Sequence, residues 1–338
     1  MTKVWRRADK ARGNASPTYN AAVLQGRWLM AYEPLVSIVS PVLNHADYVG
    51  ESIESVQKQE YQNYEHIIVD NHSIERTGII ADHYARRDPR IRVVHNSQRL
   101  SMADNWNKAM SLISPDSVYC QILHGDDMLY PGCLSKKVAF AEANPNVGII
   151  GSLRRRGGHI ECKGVPKDQT VFPGRDIGRG YLQETLFAIA PSSGFLRSEL
   201  VRSRQPFYPP EFLHTDIAAY LDILEGTDFG FIHEILNFSR VHHSSISSTV
   251  ANRRRTFVRE RLAFLNLYGP RYFTPAELAP LKQRQVMRCF KEILRNLARG
   301  DGAIARYHVE GLEMQGQLSG AYGAFLRFLS SLIPAAPA

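Results

Sequence analysis

Strand-like and helix-like segments alternate along the first half of the chain. Short apolar runs at 35–40, 66–69, 91–94 and 118–123 are separated by helix-compatible stretches at 48–59, 79–87 and 103–113. Parallel neighbours in a sheet need a crossover between them, so this alternation predicts an α/β fold with a mixed, mostly parallel sheet flanked by helices. Further strands are predicted at 147–150 and 229–236 and helices at 181–190 and 213–224, whereas 152–180 reads as a loop.

The pattern divides the chain into three parts. Residues 1–33 are predicted to form a basic extension, because they show little helical or strand periodicity. The folded domain is expected over 34–250. From 251 to 338 the sequence predicts a basic region of three or four amphipathic helices.

Composition narrows the class of protein. The chain has 338 residues, of which 44% are hydrophobic and 22% charged, as in ordinary globular proteins. Its four cysteines are scattered without zinc-ligand spacing, so a zinc site or a disulfide scaffold is not expected. No apolar run approaches the length of a membrane span, and the charged N-terminus lacks an apolar core, so we expect a cytoplasmic protein.

Positive charge is concentrated near the C-terminus. The formal net charge is +8, and residues 251–300 alone carry twelve basic residues against three acidic ones. Such a region attracts nucleic acid, acidic lipid headgroups or a phosphate-bearing substrate, or it is simply a solvated helix face. The apolar stretch 325–333 suits either a membrane surface or packing on the preceding helices.

Polar residues follow three of the predicted strands, at 41–44, 70–73 and 125–128. Ligands of open α/β sheets bind beyond the carboxyl ends of the strands, so these residues are expected at one edge. The pair Asp126-Asp127 suits Mg²⁺ or Mn²⁺ bridging to a diphosphate, and Asp70 suits a nucleoside hydroxyl or amide. Adjacent aspartates are also common as helix N-caps or turns.

Several common site motifs are absent from the sequence. It contains no G-x-G-x-x-G after the first strand, no G-x-x-x-x-G-K-[ST] and no G-x-S-x-G. This argues against a dinucleotide dehydrogenase, a P-loop phosphotransferase and a serine hydrolase of the elbow type. Arg240 and His242 form a cationic group that suits phosphate or an ordinary surface.

An ordered set of motifs resembles the family two glycosyltransferases of GT-A fold. The segments that carry the resemblance are 36–44, 46–59, 64–73, 105–109, 123–131, 213–216 and 240–247. The resemblance implies a Rossmann-like domain and an inverting transferase that uses a nucleotide-diphospho-sugar, with UDP or dTDP as the default carrier. The expected acceptor is a hydroxyl of a glycan or lipid-linked molecule, in surface polysaccharide biosynthesis.

The resemblance also implies roles for individual residues. The positions that match the nucleotide-binding residues of the family are Pro41, Val42, Asn44, Asp70, Asn107 and Asp126. Asp127 matches the principal metal ligand, with Asp126 as the alternative, and the metal is Mn²⁺ or Mg²⁺. Asp216 matches the general base, although a residue there also suits a helix N-cap. Arg240 and His242 match a pattern near the diphosphate.

The sequence departs from the family pattern at two places. His124 and Gly125 stand where acidic residues usually precede the metal aspartates, and the loop after Asp70 lacks the usual further acid and glycine. The first departure leaves open which aspartate binds the ion, and the second leaves the base preference open. Acceptor specificity is expected in 152–212 and the helical tail, where Tyr208, Glu211 and His214 could face the acceptor.

Two other functions are alternative interpretations of the sequence. A sugar-phosphate nucleotidyltransferase would need a glycine-rich, basic loop after the first strand, which 41–45 does not supply. A non-enzymatic module would bind anionic lipid or nucleic acid through 251–300. The basic tail also suits an enzyme that docks peripherally at the inner membrane face, and for the transferase no nucleic-acid partner is expected.

Overall fold

The computed structural model describes residues 33–242, 250–251, 254–318, 323 and 328. The chain divides into the units Met1–Glu33 and Pro34–Ala338. The predicted basic extension, the end of the 240–247 motif and the apolar stretch 325–333 fall outside the described residues, apart from the single positions 33 and 328. The predicted boundary between 250 and 251 stays a prediction.

Ten strands form one mixed sheet in the order β3-β2-β1-β4-β9-β6-β10-β5, with β7 beside β6 and β8 beside β10. Their bounds are β1 Val36–Val42, β2 Tyr64–Asp70, β3 Ile91–His95, β4 Tyr119–Ile122, β5 Met128–Leu129, β6 Val147–Arg156, β7 His159–Glu161, β8 Val171–Pro173, β9 Phe195–Arg197 and β10 Asp228–Ser239. Strands β3, β2, β1 and β4 are parallel, as predicted. Strand β9 is antiparallel to both β4 and β6, and it joins the two halves of the sheet.

Eleven α-helices are described. They are α1 Val49–Gln57, α2 Thr77–Ala85, α3 Met102–Ser111, α4 Cys133–Ala143, α5 Gly174–Gln183, α6 Ser198–Arg202, α7 Thr215–Leu224, α8 Thr256–Leu267, α9 Gly269–Tyr272, α10 Pro275–Ala298 and α11 Gly302–Met314. Within the described ranges, no helix combines the length and apolarity needed to cross a bilayer.

The helices cover both faces of the sheet because the strand side chains alternate between two apolar layers. In β1, Val39 packs into the cluster that holds α3, α5 and α7, whereas Ile38 packs into the cluster that holds α1 and α4. The first cluster also contains Phe264 of α8, which attaches the C-terminal helices to the sheet. Helices α10 and α11 form a further cluster with α8, centred on Ile293.

Two sequence predictions of secondary structure are wrong in part. The helix expected at 181–190 is α5, which lies earlier and ends at Gln183, because Glu184 takes a left-handed conformation with φ 59°. The region expected to be a loop, 152–180, contains the end of β6, two short strands and most of α5. Its two edge strands, β7 and β8, have three residues each, which is too short to leave a periodic pattern in the sequence, and they pair with β6 and β10.

Candidate functional site

The ends of β1, β2 and β4 lie side by side, as the sequence predicted. Val42 is in register with Asp70, and Val39 is in register with Ile122, so the segments that follow these strands leave the sheet at the same edge. This edge is the candidate site.

The segments after β1 and β2 are joined by Asn44. Its backbone has φ 54°, its N–H donates to Ser73 Oγ at 2.9 Å, and its Oδ1 accepts from the Ile74 N–H at 3.1 Å. The neighbouring Pro41 and Val42 are buried at the end of β1. The predicted nucleoside-binding segments therefore form one rigid rim.

Asp70 is buried at the end of β2. Its Oδ1 accepts from Ser73 Oγ at 2.5 Å, and its Oδ2 lies 3.2 Å from His95 Nδ1. The carboxylate is thus fixed by the protein at the predicted nucleoside position.

The two aspartates after β4 have different surroundings. Asp127 is buried, and its oxygens accept from Ser239 Oγ at 3.0 Å and from the Arg240 N–H at 3.1 Å. Asp126 lies nearer the surface, with Oδ2 2.9 Å from His242 Nε2. Asp126 is thus the less buried carboxylate of the pair, and which of the two binds an ion stays a prediction.

The pKa values of the pair are shifted in opposite directions. Burial, together with the charge of Asp126, raises the pKa of Asp127. Burial opposes ionisation of Asp126 as well, but the imidazoles of His45 and His124 and the hydrogen bond from His242 lower its pKa overall. Asp126 is consequently the more anionic member of the pair.

Arg240 and His242 reach this pair from the end of β10. Arg240 Nε donates to the Asp126 carbonyl at 3.2 Å, and its guanidinium lies 4.9 Å from the centroid of the Tyr48 ring. The His242 ring lies 5.0 Å from the same Tyr48 ring. Both predicted diphosphate-proximal residues are thus placed beside the aspartates, although their contact with a diphosphate stays a prediction.

Asp216 is the second residue of α7, in its positively polarised first turn. The segment before it is held by Glu260 of α8, which accepts the backbone N–H groups of Leu213 at 2.8 Å and His214 at 2.9 Å. Burial raises the pKa of Asp216, opposed by the nearby imidazoles of His214 and His124. His124 belongs to the loop after β4, so Asp216 and the aspartate pair share one imidazole as a neighbour.

Asn107 holds a neighbouring loop in place. Its Nδ2 donates to the Tyr208 carbonyl at 2.8 Å, and its Oδ1 accepts the Tyr208 N–H at 2.7 Å. The predicted nucleotide-binding amide is therefore engaged with backbone, and its direct contact with a nucleotide stays a prediction.

Sequence analysis predicts no site role for His45 or His124, which the fold places near the aspartates. His45 and His124 lie close enough to Asp126 to affect its pKa. Both residues lie in segments that directly follow a strand. That position is the sequence feature from which they could have been predicted as site residues.

Gly125 permits the close approach of these segments. A Cβ at this position would lie 2.5 Å from Val42 Cγ1 and 2.8 Å from His45 Nδ1. Both distances are shorter than ordinary van der Waals contact, so any side chain would push the β1 and β4 loops apart.

We expect Gly125→Ala to weaken binding of a nucleoside diphosphate with Mn²⁺ by about tenfold or more, measured by calorimetry, because a 1 Å displacement of a site is costly. Gly226→Ala is the matched control, since a Cβ there meets nothing within 4 Å. Equal affinities of the two variants would show that this packing does not shape the site.

The comparisons with known proteins agree with this architecture. The model of glycosyl transferase family 2 matches residues 37–201. EpsE of Bacillus subtilis, named as a glycosyltransferase, is 33% identical over 35% of this chain and 42% of its own. TuaG of Bacillus subtilis, named as a teichuronic acid biosynthesis glycosyltransferase, is 33% identical over 32% of this chain and 42% of its own. The aligned region thus spans less than half of these relatives.

Two solved structures share the fold at low identity. S. aureus TarS 1-349 in complex with UDP-GlcNAc superposes with a TM-score of 0.58 at 14% identity, covering 76% of this chain and 72% of that one. The mannosyltransferase PcManGT from Pyrobaculum calidifontis, in complex with GDP-Man and Mn²⁺, has a TM-score of 0.55 at 16% identity and covers 89% and 81%. With the family match, the predicted GT-A fold is confirmed, and residues 37–201 are identified as a domain of glycosyl transferase family 2.

Proposed function

We propose that this protein transfers a sugar from a nucleotide-diphospho-sugar to a hydroxyl of a glycan or lipid-linked acceptor, with inversion, in surface polysaccharide biosynthesis. The observation that carries the proposal is the carboxylate pair Asp126-Asp127 at the same sheet edge as the fixed Asp70, with His124 within electrostatic reach of both the pair and Asp216. The teichuronic acid role named for TuaG and the donor bound to TarS support the polysaccharide context and a uridine carrier.

The donor nucleotide lies, in this proposal, along the rim formed by the ends of β1 and β2. Pro41, Val42 and Asn44 supply a wall for the base, and Asp70 accepts a hydrogen bond from the base or ribose. UDP and dTDP are the expected carriers.

The diphosphate lies beside Asp126. Its charge is balanced by the Arg240 guanidinium and by a divalent ion, Mn²⁺ or Mg²⁺, which would be held by Asp126 with Asp127 behind it. The residues fit such an ion, because ligand atoms of His124, Asp126 and Asp127 all lie within 4.8 Å of one another. When bound, the ion stabilises charge that develops on the leaving diphosphate.

Asp216 takes the proton from the acceptor hydroxyl. An aspartate of ordinary pKa is a weak base, and the raised pKa of Asp216 brings it closer to the range in which proton transfer is efficient. The anomeric carbon is then attacked from the side opposite the diphosphate, which gives inversion.

The acceptor is proposed to use a cavity of about 680 Å³ whose lining includes Leu213, which precedes Asp216 by three residues in the sequence. Its wall includes Phe212, Met314 and the Tyr307 ring, with the Arg259 guanidinium 4.2 Å from that ring's centroid. An apolar wall with a cation suits an acceptor that carries a lipid and a phosphate.

A peripheral membrane contact is compatible with this acceptor. Helix α10 exposes Arg284, Met287, Lys291 and Leu294 at helical spacing, and Met287 and Leu294 are 52% and 54% exposed. Sedimentation with anionic vesicles that weakens at high salt would show the contact.

Titration calorimetry with UDP, dTDP, GDP and ADP tests the donor site, with and without Mn²⁺. We expect metal-dependent binding with a preference for one base in the wild type, and a loss of about tenfold or more in Asp126→Ala, because the variant removes the anionic ligand. Asp47→Ala, at an exposed position after β1, is the control and should bind normally. No nucleotide binding under any metal condition would contradict the proposal.

Asp216→Asn should lower kcat by roughly 10²- to 10⁴-fold and leave the donor affinity unchanged, because only proton transfer is removed. In the wild type, kcat should fall as the pH falls, since the base must be ionised. The midpoint should lie above the ordinary aspartate value of about 3.9, because burial raises this pKa. A wild-type acid limb that persists unchanged in Asp216→Asn would assign the base to another group.

Arg259→Ala should raise KM for a lipid-phosphate acceptor by about tenfold, because one charge-assisted contact is worth roughly 1.5 kcal/mol. Lys282→Ala, on α10, is the control for loss of positive charge. Equal acceptor KM values in the wild type and Arg259→Ala would place the acceptor elsewhere.

A further inference from the structure

Two histidine nitrogens near the aspartate pair are buried without a hydrogen-bond partner. They are His45 Nδ1 and His124 Nε2, and neither has a partner among the described residues. Burying a polar atom without a partner costs free energy, so such atoms are uncommon unless a ligand satisfies them. Here both lie next to the anionic Asp126.

His124 is the better placed of the two to bind an ion. A ring nitrogen of His124 and carboxylate oxygens of Asp126 and Asp127 lie within 4.8 Å of one another. Two ligand atoms on opposite sides of a metal, each bonded at about 2.1 Å, are about 4.2 Å apart. Small side-chain movements would therefore bring the three groups around one ion.

The His124 ring is held in position by its neighbours. It lies 4.6 Å from the Trp106 ring, centroid to centroid, and the backbone N–H of His124 donates to Ser192 Oγ at 3.2 Å. The Trp106 ring in turn lies 5.4 Å from the Tyr208 ring. These contacts restrict the imidazole and the backbone that carries it, but none of them satisfies Nε2, so packing alone does not account for that nitrogen.

We infer that His124 is a nitrogen ligand of the divalent ion and makes the site select Mn²⁺ over Mg²⁺. The inference rests on the proposed function and deepens it, since that proposal leaves the two ions open. Mg²⁺ is a hard ion that keeps oxygen ligands and water, whereas imidazole is a good ligand for first-row transition ions. A neutral imidazole also brings less negative charge than a carboxylate, which disfavours Mg²⁺ further.

The experiment measures Mn²⁺ binding to the full chain in the presence of UDP by loss of the free-ion electron paramagnetic resonance signal, and Mg²⁺ binding by competition. His124→Asp should raise Mg²⁺ affinity and reduce the Mn²⁺ preference by about tenfold or more, and His124→Gln should weaken Mn²⁺ by about tenfold. His83→Gln, at an exposed helix position, is the matched control and should match the wild type.

Electron spin-echo modulation of bound Mn²⁺ gives a direct readout of a nitrogen ligand. The wild type should show ¹⁴N modulation from imidazole, and His124→Gln should lose it while melting cooperatively. Persistence of the modulation in His124→Gln, or an unchanged Mn²⁺-to-Mg²⁺ ratio in both His124 variants, would overturn the inference. Absence of binding of all four nucleotides, UDP, dTDP, GDP and ADP, in the wild type would instead overturn the proposed function, and where a nucleotide other than UDP is preferred, that nucleotide replaces UDP in these measurements.

Discussion

The site depends on the hydrogen bonds that Asp127 makes to the end of β10. Its two oxygens accept from Ser239 Oγ and from the Arg240 N–H, more than a hundred residues later in the chain. These bonds attach the loop after β4 to the second half of the sheet. They also place Arg240 and His242 beside Asp126. The buried carboxylate of Asp127 therefore fixes the position of groups that surround Asp126.

Burial and neighbouring charge give the three carboxylates different properties. Asp126 stays anionic because imidazoles surround it, whereas burial raises the pKa values of Asp127 and Asp216. In the proposed reaction an anionic group is needed near the metal and a stronger base is needed at the acceptor. The fold thus separates these properties by environment rather than by residue type.

The sequence predicted the parallel half of the sheet and the meeting of its strand ends, because local alternation and polar strand endings determine both. It could not predict that β9 runs antiparallel between β4 and β6, since that pairing joins distant segments. The sequence likewise gives no sign of the burial of Asp127 or of its bonds to Ser239 and Arg240, because these exist only once β10 is placed. Whether Asp126 or Asp127 is the principal metal ligand stays a prediction.

The proposed reaction is a single displacement at this edge, with Asp216 as the base on the side opposite the diphosphate. The most direct measurement is ¹H NMR of the first sugar product released from an α-linked UDP-sugar, recorded before mutarotation. With inversion, the β-anomer should form first. Initial release of the α-anomer would contradict it, because retention requires a different arrangement of groups around the anomeric carbon.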